Sequence, residues 1–227
     1  MHIKMEPLKN PSTWRKMSVA TWKAADDPTV YGRMEVEMSA VLKFAAEMSE
    51  RHGVKITPTH CVARGVALAL RHYPKANAIV RMRRIYLRKD INVFLQVAIK
   101  GEDPDLSGVC VRNADLKKVH EIASELAERA KTVRDNTDPQ LAKTKKSLNL
   151  LPFFLFRPVL KFLEFIQYTL NINPKILGLP EDPFGSVMIT SVGMLGIDEA
   201  FAPIVPISRV PMLVTVGEIK DKPVAIE

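Results

Sequence analysis

The sequence predicts an α+β fold in which helices cover a mixed sheet. Amphipathic helical stretches and alternating strand stretches are mixed along the chain without a repeating strand–helix–strand rhythm. The 227 residues are 47% hydrophobic and 26% charged, a composition typical of a soluble globular domain with a sizeable core. No internal repeat or low-complexity segment is visible. We therefore expect one domain over residues 1–227.

Two amphipathic helices are predicted in the first third of the chain. Apolar residues recur at helical spacing over 39–52, and Gly53 follows as a C-cap. Thr57 and Pro58 supply an N-cap and a first-turn proline for the next helix, which ends before Pro74.

Strands are indicated by apolar residues that alternate at period two. The predicted strand regions are 79–99 with a charged break at Lys89-Asp90, 109–111, 186–192 and 212–219. The last two flank a glycine turn at Gly193 and Gly196.

A third helix is predicted after Asp115, which has the side chain of an N-cap. Its apolar stripe is formed by Leu116, Val119, Ala123, Leu126, Ala130 and Val133.

Positive charge is concentrated in the first half. Residues 1–100 hold 18 Lys and Arg against 8 Asp and Glu, a charge of +10, whereas the rest holds 15 against 17, a charge of −2. This suggests a nucleic acid, an anionic membrane or a phosphate-bearing cofactor as partner, with a solvated basic face as the alternative. Cys61 and Cys110 are far apart and are typical of buried thiols in a reducing compartment. With no secretory signal or spanning apolar run visible, we expect a cytoplasmic protein.

Common catalytic motifs do not occur. The sequence contains no GxxxxGK[ST], GxGxxG, GxSxG or HExxH. The five histidines are scattered, and the adjacent His60 and Cys61 point in different directions, so no metal site is expected. The densest cationic run has one aromatic residue, Tyr86, too few for a stacking groove, so nucleic acid is not favoured and cofactor phosphates remain compatible. That run consists of Arg81, Arg83, Arg84, Arg88 and Lys89.

Several segments, in order, resemble the acyltransferase (E2) catalytic domain of 2-oxo acid dehydrogenase complexes, a relative of chloramphenicol acetyltransferase. The most specific is VKITPTHCVARGVALALRHYPKANA (54–78), similar to the family's helix ending in His-Pro-x-x-Asn-Ala. The other similar segments are WRKMSVA (14–20), VEMS (36–39), LRKDINVFLQVAI (87–99), VCVRNADLKKVHEIASELAERAKTVRD (109–135), SVMITSVGMLGIDEAFAPIVP (186–206) and VTVGEI (214–219).

The resemblance implies a chloramphenicol acetyltransferase-like two-layer sandwich that assembles as a homotrimer or as a higher assembly of trimers. It implies a channel between subunits in which an acyl group passes between coenzyme A and a thiol such as dihydrolipoamide. Thr190 matches the family's hydroxyl donor to the oxyanion, and Ser191, Arg84 and Arg88 are assigned to cofactor binding. The family's base is a histidine in an Asp-His-Arg-x-x-x-Asp-Gly segment. This sequence stops at Glu227 before such a segment, so we expect the base beyond residue 227.

Some family features differ here. The sequence shows no lipoyl domain and so no lipoyl attachment, no peripheral-subunit-binding domain, and an altered family motif at 106–111. An alternative is therefore a non-catalytic trimeric scaffold or regulatory relative without the histidine. An apolar helical insertion is expected at about 138–183, and its most apolar part is expected at 148–179. Its prolines and charges exclude a spanning helix, and packing on the core or on a neighbouring subunit is favoured over interfacial membrane contact.

Overall fold

The computed structural model describes residues 3–9, 29–99, 105–134, 153–173 and 181–223. The similar segment 14–20 and parts of the insertion, 138–152 and 174–180, lie outside these residues. The helices are α1 (Ser39–His52), α2 (Pro58–His72), α3 (Val119–Arg134) and α4 (Phe153–Glu164). The strands are β1 (Met5–Pro7), β2 (Ala78–Arg81), β3 (Arg84–Arg88), β4 (Val93–Ile99), β5 (Asp105–Val111), β6 (Val187–Ser191) and β7 (Leu213–Val216).

The larger sheet is mixed and has the order β5-β4-β6-β7. Strand β4 pairs antiparallel with β5 and parallel with β6, which in turn pairs parallel with β7. Alternate strand residues form one core with the inner faces of α2 and α3. Its members include Ala63, Ala67, Leu70, Val93, Leu95, Val109, Ile122, Val187 and Ile189. The predicted α+β fold, a mixed sheet covered by helices, is confirmed.

The first two helices have the predicted limits. Gly53 adopts a left-handed conformation, φ 65°, and its N–H donates to the Ser49 carbonyl at 2.9 Å. Thr57 caps α2 together with His60, whose Nδ1 accepts the Thr57 backbone N–H at 3.1 Å. His60 is thus part of the helix cap, and burial lowers the pKa of its imidazole.

The third helix begins at Val119, so the prediction that Asp115 caps it is wrong. The backbone N–H of Lys118 donates to the Glu121 carboxylate at 2.6 Å, which places the cap three residues later. The Arg64 guanidinium donates to the carbonyls of Ala114, at 3.1 Å, and Asp115. These tertiary bonds hold the preceding residues in a turn.

A smaller antiparallel sheet has the order β1-β3-β2. The predicted strand region 79–99 therefore divides between the two sheets, and the break falls at Lys89-Asp90 as expected. Tyr168, from the π-helical turn Phe165–Thr169 that follows α4, packs with Ile3 and Ile79 on the small sheet. Across the described ranges, every helix is too short or too polar to cross a lipid bilayer.

Candidate active site

Thr190 lies on the face of the large sheet that points away from the helices. Val187 and Ile189 belong to the core shared with α2 and α3, and side chains alternate along a strand. Thr190 is partly buried, and its register partner on β7 is Thr215. The Thr215 hydroxyl donates to the Ala200 carbonyl at 2.9 Å. Thr190 therefore lies on the face of the sheet that is turned away from α2 and α3, beside the Thr215 that β7 contributes.

An aromatic cluster lies on the same face of the sheet. Phe94 on β4 is the register partner of both Cys110 and Met188, and its ring centroid lies 5.4 Å from that of Phe184. The Phe94 ring covers Gly108, where any β-carbon would overlap the ring. Gly108 falls in the segment 106–111 that differs from the family motif, and here the glycine makes room for the ring.

The thiol on this face is not a nucleophile. Burial raises the pKa of Cys110 to about 11, so the thiol is protonated at neutral pH. A thiol is a weak nucleophile until it becomes a thiolate. Thiol chemistry on this face would therefore use a thiol that a substrate brings.

Close backbone packing fixes the end of β6. The chain leaves Ser191 through a short turn in which Gly193 lies against the Gly217 backbone, with no space for a β-carbon. The Val192 N–H donates to the Val216 carbonyl at 2.9 Å, which extends the β6–β7 pairing by one residue. Ser191 is partly buried and is the last residue of its strand.

Exposed ion pairs surround this turn. Arg33 lies 2.5 Å from the Glu35 carboxylate and 3.0 Å from that of Glu199. Lys220 pairs with Asp198. The hydrogen bond from Arg33 lowers the pKa of Glu35, and that from Lys220 lowers the pKa of Asp198. Exposed pairs of this kind are screened by solvent, so they orient the segment more than they stabilise it.

Arg88 is buried and is bonded within the protein. Its Nη1 lies 2.8 Å from the Asp182 carboxylate and also donates to the Gly185 carbonyl, while its Nη2 donates to the Arg209 carbonyl at 3.2 Å. Asp182 and Gly185 lie directly before β6. Arg88 thus braces the segment that leads to Thr190. This geometry does not favour a contact with cofactor phosphate, and that assignment stays a prediction.

The four predicted site residues fall into two groups. Thr190 and Ser191 are neighbours on β6, whereas Arg84 and Arg88 lie on β3 of the small sheet. Arg84 is exposed and pairs in register with Arg81. The role of Asp182 was missed, although an acidic residue and a glycine just ahead of a buried strand offered a weak signal. Among the described residues, no group of three or more His, Cys, Asp or Glu could hold a metal ion.

The known proteins and structures that are similar to this chain include the following three. The acetyltransferase component (dihydrolipoyllysine-residue) of the acetoin cleaving system of Bacillus subtilis is 31% identical over 86 residues, 38% of this chain and 21% of that protein. A probable dihydrolipoamide acetyltransferase of Listeria monocytogenes superposes with a TM-score of 0.59 at 17% identity, over 94% of this chain and 73% of that one. A truncated catalytic core of the 2-oxoacid dehydrogenase multienzyme complex of Thermoplasma acidophilum gives 0.56 at 22% identity, over 96% and 82%.

The structural likenesses show the fold, including its similarity to E2 catalytic cores. The curated relative is matched over about a fifth of its length. The pattern of the 2-oxoacid dehydrogenase acyltransferase catalytic domain matches residues 8–141, more than half of the 227 residues. The chain therefore belongs to the family of 2-oxoacid dehydrogenase acyltransferases, within the catalytic domain.

Proposed function

We propose that this protein moves an acyl group between coenzyme A and a thiol such as dihydrolipoamide. The single observation that carries the proposal is the position of Thr190, a partly buried hydroxyl on the face of the sheet that points away from α2 and α3, in a chain of the acyltransferase family. A thiolate attacks the thioester carbonyl to give a tetrahedral oxyanion. The oxyanion collapses and expels the other sulfur as a thiolate, which takes up the proton removed from the attacking thiol, so one thioester replaces another. The Thr190 hydroxyl donates to the oxyanion.

The thiol must lose its proton before it attacks, because an unperturbed thiol is mostly protonated at neutral pH. In this proposal the base is a histidine of the kind found in the family's Asp-His-Arg-x-x-x-Asp-Gly segment, a segment that residues 1–227 do not contain. The Cys110 thiol has a raised pKa and is not part of the relay.

A homotrimer with the site between subunits is part of the same proposal. Large apolar side chains are exposed near the end of β6, which supports a covering neighbour there. They are Met194, Leu195, Ile197 and Phe201. A neighbouring subunit that covers them would also exclude water from Thr190, and exclusion of water strengthens a hydrogen bond to an oxyanion.

The test compares Thr190→Val, which keeps the shape and removes the hydroxyl, with Thr190→Ser, which keeps the hydroxyl. In the protein at its natural length, Thr190→Val is expected to lower kcat for acyl exchange by about 100-fold with little change in KM, because loss of one oxyanion donor costs this much. Thr190→Ser should recover most of the rate. Equal rates in the parent and the valine variant would contradict the role. A trimer that exchanges no acyl group would instead indicate the scaffold alternative.

A further inference from the structure

The last residues of α4 and the turn that follows them expose an unusual number of large apolar side chains. Phe162 is 63% exposed and Phe165 is 49% exposed. Within residues 160–172, which we name the apolar segment, the exposed apolar residues are Leu160, Phe162, Phe165, Leu170 and Ile172. Concentrated exposure of this kind marks a surface that binds something.

The apolar segment is firmly attached to the small sheet. The Tyr168 ring is buried against Ile3 and Ile79. The Asn171 side chain accepts the Ile3 N–H at 2.7 Å and donates to the Ile3 carbonyl at 3.0 Å. The exposed phenylalanines therefore project from a fixed support.

A cationic turn is fastened to the same segment. Arg81 donates from Nε to the Thr169 carbonyl at 2.5 Å and from Nη2 to the Leu170 carbonyl at 3.2 Å. The next residues, Met82 and Arg83, form the β2–β3 turn, which we name the cationic turn together with Arg84. All three of its side chains are exposed. The structure thus places two exposed arginines and a methionine beside the apolar segment.

The backbone of the cationic turn is unfavourable for its residues. Met82 and Arg83 both have positive φ, 47° and 61°. A two-residue hairpin turn of this shape favours Asn-Gly, because a side chain with a β-carbon is strained in the left-handed region. The sequence keeps a long apolar side chain and a cation where both are strained, which is consistent with a use for those side chains.

The charge around the apolar segment is positive. Glu164 is its acidic residue, and Arg209 occupies that carboxylate with an Nη2–Oε1 distance of 2.5 Å. Lys161 is exposed on the same segment. Within the described part of the chain, Lys161, Arg83 and Arg84 form no ion pair, so their positive charge is available to an anionic partner.

We propose that the apolar segment and the cationic turn together bind the surface of a bilayer that contains anionic lipid. The phenylalanines enter the boundary between headgroups and acyl chains, and the arginines contact lipid phosphates. A second copy of the chain fits less well, because a two-fold contact would bring both cationic turns together. The sequence favoured packing of this segment on the core or on a neighbouring subunit over membrane contact, and it gave no sign of the bond between Arg81 and Thr169, which are 88 residues apart. This binding does not rest on acyl transfer, and Arg84, which is also predicted to bind the cofactor, is left unchanged in the variants that test it.

The experiment is flotation of the natural-length protein with vesicles of phosphatidylcholine alone or mixed with phosphatidylglycerol, at low and high ionic strength. We expect flotation with the anionic vesicles that weakens as salt is added. No flotation with anionic vesicles at low salt would overturn the proposal.

The cationic turn provides a variant that should not lower the stability of the fold. The double change Met82→Asn with Arg83→Gly gives the turn its preferred residues, so its Tm should equal or exceed that of the parent. Its affinity for anionic vesicles should fall at least fivefold, the effect of about one cation near a charged surface. Lys75→Gln, an exposed cation elsewhere, is the matched control. Unchanged affinity in the double variant would contradict the role of the turn.

The apolar contribution is tested with Phe162→Ser and Phe165→Ser. Each should lower vesicle affinity roughly tenfold, as expected for burial of a large apolar side chain in the interface. Phe44→Ser, a comparably exposed phenylalanine on α1, should have no effect. If the phenylalanine variants instead change the mass of the assembly and leave vesicle affinity unaltered, the partner is a second copy and the proposal is wrong. Acyl exchange in solution should be unchanged in all of these variants.

Discussion

Arg88 Nη1 lies 2.8 Å from Asp182 Oδ2, and the two side chains are only 1% and 6% exposed. The pair joins β3 of the small sheet to the segment just before β6, and so ties the support of the apolar segment to the strand that carries Thr190. A buried charge without its partner is very unfavourable. The pair thus links the two sheets. Loss of either partner would leave the other charge buried and unpaired, which destabilises the fold.

Removal of one partner of this buried ion pair should strongly lower the free energy of unfolding. Asp182→Ala leaves the Arg88 guanidinium buried without its counter-ion, and we expect a loss of about 3–5 kcal/mol in the free energy of unfolding, measured with urea. The double variant Arg88→Met with Asp182→Leu should recover a large part of this loss. As a control, Lys4→Ala breaks an exposed 3.5 Å pair with Asp90 and should cost less than about 1 kcal/mol. Equal costs for the buried and exposed pairs would contradict the brace.

The contact between Phe94 and Gly108 should make the glycine irreplaceable. Gly108→Ala inserts a methyl group into the Phe94 ring and is expected to destabilise the fold by about 1–3 kcal/mol. The second change Phe94→Leu should relieve part of that cost. Gly65→Ala is the matched control, because a β-carbon at this helical position meets no atom within 4 Å. It should stabilise by about 0.5–1 kcal/mol. Thermal unfolding distinguishes the two alanines, and similar Tm values would contradict the packing.

Cys110 should be inert to alkylation in the folded protein. Its pKa of about 11 leaves so little thiolate at pH 8 that iodoacetamide should react at least 100-fold more slowly than with a free cysteine. Because the folded pKa is raised, the thiol contributes stability that is complete below the unfolded pKa of about 8.5 and is lost as pH rises toward 11. Peptide mass spectrometry after timed alkylation gives the rate, and fast modification of Cys110 under native conditions would refute its burial.

The contact between His52 and His120 should weaken in acid. Their rings stack with centroids 3.8 Å apart, and the pKa of the exposed His52 is lowered by desolvation of its ring and then by Coulombic repulsion from His120. A lowered folded pKa means that this contribution to stability is present above about pH 6.5 and is lost as pH falls below it. His52→Gln should therefore reduce the drop in Tm between pH 8 and pH 5.

The pKa of His60, which caps α2, is also lowered. Part of the drop in Tm at low pH should therefore remain in the His52→Gln variant. An NMR titration of His52 gives its pKa directly. A value above that of a free imidazole would contradict the predicted direction.

Local signals predicted α1 and α2 well, because Gly53, Thr57 and Pro58 fix their ends within a few residues. The start of α3 could not be predicted, since Arg64, some 50 residues earlier in sequence, bonds the carbonyls of Ala114 and Asp115. The partner of Arg88 lies 94 residues away, so a strand arginine looked free for phosphate. The tie between Arg81 and Thr169 spans 88 residues and was equally invisible. Thr190 was found through the resemblance, and the structure adds the face on which it lies.

Direct detection of acyl transfer is the most decisive measurement. The purified natural-length protein is incubated with acetyl-coenzyme A and dihydrolipoamide, and acetyl-dihydrolipoamide is measured by mass spectrometry over time. Acyl transfer predicts many product molecules per protein molecule, formed far faster than in the uncatalysed mixture. A folded, assembled protein that forms no product above background with acetyl-coenzyme A or with other acyl-coenzyme A donors would contradict the proposed function.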